Sequence, residues 1–135
     1  MLCLDTNVVI GIMSGRSAAS IRRLREEVGG GTRVLIPTIV VHELRFGIAN
    51  SARRTANEQA LESFLTPYDT PSFDTADAAE AADIRVHLQR RGTPIGPYDL
   101  LIAAQARRRG AILVTGNIRE FRRVPRLSVE DWTKP

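Results

Sequence analysis

Four acidic residues occur where a predicted strand ends or a predicted helix begins. Asp5 follows the apolar run LCL, and Glu43 lies in IVVHELRFG, one to two turns into the helix after the second strand. Asp99 lies in the first turn of PYDLLIAAQA, and Glu120 follows the strand AILVT. A carboxylate in an apolar stretch is costly to bury unless something neutralises or solvates it. Hard cations such as Mg²⁺ bind such oxygens, so the spacing suggests metal chemistry.

Each of these residues also has an ordinary structural role. Asp5 can cap a helix, Asp99 is favoured by the helix dipole, and Glu43 can be a solvated helix residue. If the carboxylates meet at one edge of a sheet, however, they repel one another unless divalent cations lie among them. Two such ions about 3.5–4 Å apart can activate a water and stabilise the leaving oxygen in phosphodiester cleavage.

Strands alternate with helices along the chain, which predicts the α/β fold class. The strands are continuous apolar runs, so we expect a parallel sheet that is covered on both faces. Ligands of such sheets bind at the carboxyl ends of the strands. We predict strands at 2–5, 33–36 and 111–115, with a further short strand at 70–74, and helices at 6–13, 17–28, 38–49, 51–65, 75–92 and from Pro97 to about 109.

Composition predicts one ordinary globular domain over residues 1–135. Hydrophobic residues make up 43% and charged residues 25% of the chain, and no apolar run reaches the roughly 20 residues that a membrane span needs. The N-terminus does not resemble a signal peptide. Cys3 is the only cysteine, and we expect it to be a small buried hydrophobe. A cytoplasmic location fits these features.

The charge of the chain favours a polyanionic partner. Of the 19 basic residues only Lys134 is a lysine, and the net charge is +4. The planar guanidinium group suits phosphate, although arginine usage can also follow genome composition, and charge alone leaves both interpretations open. If the four acids form one pocket, the rest of the molecule carries a charge of +8.

Histidines are poorly placed for catalysis. His42 directly precedes Glu43 and so points about 100° away round the helix, and His87 lies in a long helix, where we expect a solvated or edge position. Without a histidine pair, a metal-free ribonuclease mechanism is disfavoured.

Four segments resemble the signature blocks of PIN-domain ribonucleases, in order and with similar spacing. They are LDTNVVI, IVVHELRFG, GTPIGPYDLLIAAQA and ILVTGNIREFRRV, and the ending LSVEDW also fits, so that the resemblance runs from residue 2 to about Trp132. Within the PIN domains the chain resembles the VapC toxins of toxin–antitoxin pairs. The resemblance implies a three-layer α/β/α sandwich around a short parallel sheet, and an RNA endonuclease that depends on Mg²⁺ or Mn²⁺.

The resemblance also implies roles for individual residues. Asp5, Glu43 and Asp99 match the acidic ligand positions. Asn117 stands where many members have Asp, so that Glu120 is the expected fourth acid. Thr6, Thr115 and Asn7 are expected to orient ligands through water molecules, although Asn7 could equally cap the first helix. The candidate phosphate contacts, which could equally be solvated surface, are Arg119, Arg122 and Arg123.

Substrate and partners are implied in the same way. The subgroup with GTPxGPYD and REFxRxP is linked to cleavage of the transfer RNA anticodon stem-loop, in particular that of initiator tRNA. A VapB-type antitoxin would place a basic side chain in the acidic pocket, and a homodimer is implied. The apolar residues that could serve either contact, or the core, are Ile39, Val40, Phe46, Ile48, Leu61, Phe64 and Leu65.

Two other functions compete with this interpretation. One is a catalytically weak PIN domain that acts mainly by binding its antitoxin and in autoregulation, which the neutral Asn117 favours. The other is a haloacid-dehalogenase-type phosphatase, which would carry a D-x-D pair at the first strand. Residue 7 is Asn, which disfavours the phosphatase.

Overall fold

A parallel sheet of four short strands organises the chain. The structure is a computed structural model that describes residues 1–134. The strands are β1 (Leu2–Leu4), β2 (Val34–Leu35), β3 (Ile112–Val114) and β4 (Val129–Glu130), in the order β2-β1-β3-β4. The helices are α1 (Thr6–Met13), α2 (Ala18–Gly29), α3 (Thr38–Ala49), α4 (Arg54–Leu65), α5 (Thr75–Arg90), α6 (Pro97–Arg108) and α7 (Ile118–Phe121).

Helices cover the sheet on both sides. Leu2, Cys3 and Leu4 are all buried, although consecutive residues of a strand point to opposite faces. This is the expected three-layer α/β/α sandwich, and the α/β prediction is confirmed. Cys3 is fully buried, as predicted. Within residues 1–134, no helix is long and apolar enough to cross a bilayer.

The register of the sheet brings two polar residues to the same edge. Leu4 pairs with Val114, so that β1 and β3 end side by side. The next residue of each strand is polar, Asp5 after β1 and Thr115 after β3. The backbone N–H of Asp5 donates to the carbonyl of Val114 at 3.0 Å, which continues the ladder by one bond. Asp5 therefore lies at the carboxyl edge of the sheet, as the sequence predicts.

The segment before α5 is not the strand predicted at 70–74. Only Asp69 forms an isolated bridge, with Leu35. Pro71 has no N–H to give to a ladder, and its carbonyl accepts hydrogen bonds from the side chains of Thr38 and Gln105. This segment is therefore an extended loop tied to α3 and α6 by side chains.

Other element boundaries differ by a few residues. The helix predicted from residue 51 begins at Arg54, because residues 51–53 form a turn in which the Ser51 hydroxyl donates to the Ile48 carbonyl. The helix predicted to residue 92 ends at Arg90, and Gly92 takes a φ of +67°. The short elements α7 and β4 were not predicted, because four and two residues are too few to show a periodicity.

An ion-pair network holds α5 against the end of α6. Asp77 is fully buried, and its Oδ1 accepts from Arg108 and Arg109, each at 2.7 Å. Asp74 caps α5, and its backbone N–H donates to the second oxygen of Asp77. Burial by itself would raise the pKa of Asp77, but the hydrogen bonds from Arg109 and Arg108 hold it well below its usual value.

The apolar residues named above as contact candidates divide between core and surface. Val40 and Leu61 are fully buried and belong to the core. Phe46 stands apart because 69% of its surface is exposed. The remaining four pack partly buried against the core: Ile39, Ile48, Phe64 and Leu65.

Candidate active site

Asp5 is held rigidly at the edge of the sheet. It caps α1, because its Oδ1 accepts the backbone N–H of Thr6 at 2.8 Å. Its Oδ2 accepts the hydroxyl of Thr115 at 2.8 Å. The residue is 8% exposed, so the cap and the threonine fix a nearly buried carboxylate. Each oxygen keeps a further lone pair for a ligand.

Glu43 is connected to the same place through Thr6. The hydroxyl of Thr6, in the first turn of α1, donates to Oε1 of Glu43 on α3 at 2.6 Å. Thr6 directly follows Asp5, so its hydroxyl connects the start of α1 to the carboxylate of Glu43, which lies 37 positions further along the chain. Asn7 also lies in α1 but is exposed, and the cap of that helix is Asp5 and not Asn7.

Asp99 and Glu120 meet at the start of α6. Gly96 is the N-cap of that helix, and a Cβ on Gly96 would lie 3.5 Å from Oδ2 of Asp99. The carboxyl of Asp99 lies beside that of Glu120, close enough for the two to share a hydrogen bond. Asn117 donates from its side-chain nitrogen to Oε2 of Glu120 at 2.5 Å. Gly96 was not among the site residues expected from the sequence, in which the Gly-Pro pair before Asp99 marks the start of this helix.

The pKa values reflect this crowding of negative charge. Burial raises the pKa of Asp99 to about 7, and its hydrogen bond to Glu120 adds to the rise. Burial likewise raises the pKa of Asp5, against the hydrogen bonds from Thr115 and Thr6. The charges of Glu43 and Glu120 raise both values further. The pKa of Glu120 is lowered, first by the hydrogen bond from Asp99 and then by that from Asn117.

The donor set suits a hard divalent cation with a partly aqueous shell. Across residues 1–134, no three histidine, cysteine or carboxylate side chains are arranged to hold one ion by themselves. Mg²⁺ commonly binds through one or two carboxylates and completes its octahedron with water and substrate oxygens. A buried carboxylate at Asp5, with Asp99 repelled by the charges around it, fits such an ion.

The candidate RNA contacts fall into two groups. Arg119 and Arg122 are exposed, and their side chains make no hydrogen bond or ion pair with any residue in 1–134. Arg123 is also exposed, but its Nη1 donates to the carbonyl of Pro94 at 2.9 Å.

His42 is exposed and packs its ring edge-on to Tyr98, with centroids 5.6 Å apart.

An open groove begins at Glu43. It has a volume of about 340 Å³ and runs between α1, α3 and the start of α4. Apolar side chains dominate its walls, among them Ile10, Met13 and Ile48. Ile10 is 39% exposed, so the groove offers apolar surface directly beside the acidic residues.

Comparison with known proteins identifies the fold and the family. The model of the PIN domain matches residues 2–127. The chain is 37% identical over 130 residues to the tRNA(fMet)-specific endonuclease VapC of Salmonella typhimurium, with 96% of each chain covered. It is 33% identical to ribonuclease VapC2 of Rickettsia felis, with 97% of each covered. The chain belongs to the PIN-domain family, among the VapC ribonucleases.

Solved structures of this family superpose closely on the chain. The VapBC2 complex of Rickettsia felis, bound to a promoter DNA fragment, matches with a TM-score of 0.90 and 31% identity, over 97% of this chain and 98% of that one. The DNA-bound VapBC of Salmonella typhimurium matches with a TM-score of 0.89 and 35% identity, over 97% of both chains. The predicted PIN fold is confirmed, and the phosphatase alternative is wrong.

Proposed function

We propose that this VapC ribonuclease hydrolyses RNA with a bound Mg²⁺ or Mn²⁺ held by Asp5 and Asp99. The observation that carries the proposal is a set of hydrogen bonds at the carboxyl edge of the sheet. They link Asp5 to Glu43 through Thr6, and Asp5 to Glu120 through Thr115 and Asn117. Asp99 lies beside them, close enough for their charges to raise its pKa. So much negative charge in one partly buried place favours a cation. A bound Mg²⁺ or Mn²⁺ would supply a water of lowered pKa and positive charge opposite the reacting phosphate.

The protein groups have distinct tasks in this proposal. Asp5 is the fixed ligand, because two hydrogen bonds prevent its carboxylate from turning. Asp99 is the second ligand, on the first turn of α6. Glu43 accepts a hydrogen bond from the Thr6 hydroxyl with one oxygen, which leaves the other oxygen to orient a water molecule. Hydrogen bonds of this kind, one step from the ligands, align ligands and waters.

Glu120 completes the site in preference to Asn117. The side-chain nitrogen of Asn117 is directed at Glu120, so Asn117 supports the carboxylate. Its backbone N–H donates to the Thr115 hydroxyl at 3.0 Å, which orients that hydroxyl toward Asp5. Asn117 is thus a supporting residue, and its neutral side chain is no argument for a catalytically weak protein.

We propose a transfer RNA anticodon stem-loop as the substrate, that of initiator tRNA in particular. The Salmonella relative that is named a tRNA(fMet)-specific endonuclease, at 37% identity, supports this. Unpaired loop nucleotides also expose both bases and scissile bonds to a protein. Arg119 and Arg122 are the phosphate contacts in this proposal. Arg119 lies in α7 and Arg122 is its C-cap, and both are exposed.

We further propose a VapB-type antitoxin as partner, and a homodimer of the toxin. Structures of VapBC complexes superpose on this chain, and the groove offers apolar walls that end at the carboxylate of Glu43. A segment with apolar side chains followed by an arginine or lysine matches that pattern and would compete with the cation. Phe46, 69% exposed on α3, is the candidate contact for the antitoxin or for a second copy.

Sequencing of RNA ends after brief expression tests this function. The wild-type chain and Asp99→Asn are expressed in parallel, without antitoxin. We expect new ends within the anticodon loop of initiator tRNA, present with the wild type and absent with Asp99→Asn. Equal cleavage by both, or none above background by the wild type, would favour the antitoxin-binding, autoregulatory alternative.

A further inference from the structure

The loop that precedes Asp99 is held from outside by the segment that follows β3. Residues 94–96 lie between the end of α5 and the first turn of α6. A hydrogen bond reaches them from residues 118–123: the Nη1 of Arg123 donates to the carbonyl of Pro94 at 2.9 Å.

This loop lies directly beside the Asp99 carboxylate and leads into the helix that carries it. A Cβ on Gly96 would be in van der Waals contact with both Oδ2 and Cγ of Asp99, at 3.5 and 3.9 Å. The start of α6 has no side-chain cap of its own at Gly96, so the loop depends on contacts from elsewhere. A shift of the loop would therefore move Asp99 relative to Asp5.

We propose that Arg123 is a positioning residue of the nuclease, which acts through the Pro94–Gly96 loop and not by binding RNA phosphate. The inference rests on the proposed function, since it assigns Asp99 a catalytic task. Arg119 and Arg122 lie on the same segment without such a contact, so the three arginines have different roles. A displacement of reacting groups by about 1 Å can cost up to about a hundredfold in rate, whereas a lost phosphate contact weakens binding.

Steady-state kinetics of purified variants test the assignment. The substrate is an RNA hairpin with the anticodon stem-loop of initiator tRNA, in Mg²⁺, at several salt concentrations. For Arg123→Ala we expect kcat to fall about three- to tenfold, the effect of one positioning hydrogen bond, with KM and its salt dependence unchanged. Arg122→Ala should instead raise KM and reduce the salt dependence, with kcat unchanged. Arg33→Ala is the matched control, since Arg33 pairs with Asp69 at the opposite edge of the sheet and should leave both parameters unchanged.

Rescue by Arg123→Lys separates positioning from a general loss of structure. A lysine keeps a donor for the Pro94 carbonyl, so we expect Arg123→Lys to recover most of the kcat that Arg123→Ala loses. A raised KM and a weaker salt dependence in Arg123→Ala, with kcat unchanged, would overturn the inference. So would a kcat of Arg123→Lys as low as that of Arg123→Ala. If the wild type and Asp99→Asn cleave the hairpin alike, the proposed function itself fails.

Discussion

Thr115 and Asp5, 110 residues apart in sequence, are joined by a buried hydrogen bond of 2.8 Å. The donor follows β3 and the acceptor follows β1, which are neighbouring parallel strands. The bond therefore exists only because the register of the sheet aligns the two strand ends. Through this bond the sheet supports Asp5, which is the most buried carboxylate in the site.

Replacement of Thr115 by Val should impair the nuclease without unfolding it. The substitution keeps the shape of the side chain but removes the hydroxyl that holds Asp5 Oδ2. Changes of this kind next to metal ligands cost about ten- to a hundredfold in metal affinity or activity. We expect the Mg²⁺ concentration needed for half-maximal cleavage to rise by such a factor. Thr115→Ser, which retains the hydroxyl, is the control, and equal activity of Val and Ser variants would contradict the prediction.

Loss of the Thr6 hydroxyl should act through Glu43. Thr6→Val releases Oε1 of Glu43 from its 2.6 Å hydrogen bond but leaves the backbone cap on Asp5 intact. We expect a fall in kcat of about tenfold in RNA cleavage, with Mn²⁺ affinity measured by calorimetry changed less than in Thr115→Val. Thr6→Ser should retain most activity. If Thr6→Val weakens Mn²⁺ binding more than Thr115→Val, Glu43 and not Asp5 is the main ligand.

Asp99→Asn should stabilise the metal-free protein while it removes activity. The pKa of Asp99 is about 7 in the folded chain, above its unfolded value. The folded state therefore binds more protons, and the group opposes folding increasingly as pH rises from about 4 to above 7. Asp99 is partly exposed, so its effect is screened by solvent. We expect Asp99→Asn to raise the free energy of unfolding by about 1 kcal/mol, which is about 3 °C in melting temperature. Thermal unfolding in chelator at pH 8 and pH 5 should show the gain at pH 8 and little at pH 5.

Asp77 should govern the acid stability of the protein. Its carboxylate is fully buried between Arg108 and Arg109. Because the pKa of Asp77 is lowered in the folded state, the carboxylate stabilises the fold fully above the pKa that it has in the unfolded chain. This stabilisation is lost as pH falls below that pKa. Removing one member of a buried ion pair costs about 3–5 kcal/mol. Asp77→Asn should lower the urea midpoint at pH 7, and this loss should shrink gradually as pH falls below the unfolded pKa of Asp77. Arg54→Ala, which breaks an exposed pair with Glu58, should cost below about 1 kcal/mol.

The sequence predicted the sheet and its edge well because the relevant signals are local. An apolar run that ends in Asp5, and another that ends in Thr115, specify where β1 and β3 stop. Parallel pairing then brings the two ends together. The acidic residues after these strands and in the following helices could therefore be assigned to one edge without knowledge of the packing.

The supporting contacts could not be predicted, because each joins residues that are distant in sequence. Nothing local indicates that Thr6 meets Glu43, or that Arg123 reaches Pro94. The extended segment at 70–74 was wrongly predicted as a strand because Pro71 takes part through its carbonyl alone. Elements as short as α7 and β4 are stabilised by their neighbours and leave no periodicity to detect.

Anomalous diffraction from crystals grown with Mn²⁺ is the sharpest check on the proposed metal site. We expect an ordered Mn²⁺ about 2.0–2.3 Å from carboxylate oxygens of both Asp5 and Asp99, in wild-type chain that cleaves RNA. The same crystals of Asp99→Asn should lose that peak or show it much weakened. An RNA-cleaving wild type whose ordered Mn²⁺ lies elsewhere, with none between Asp5 and Asp99, would refute the proposed metal site.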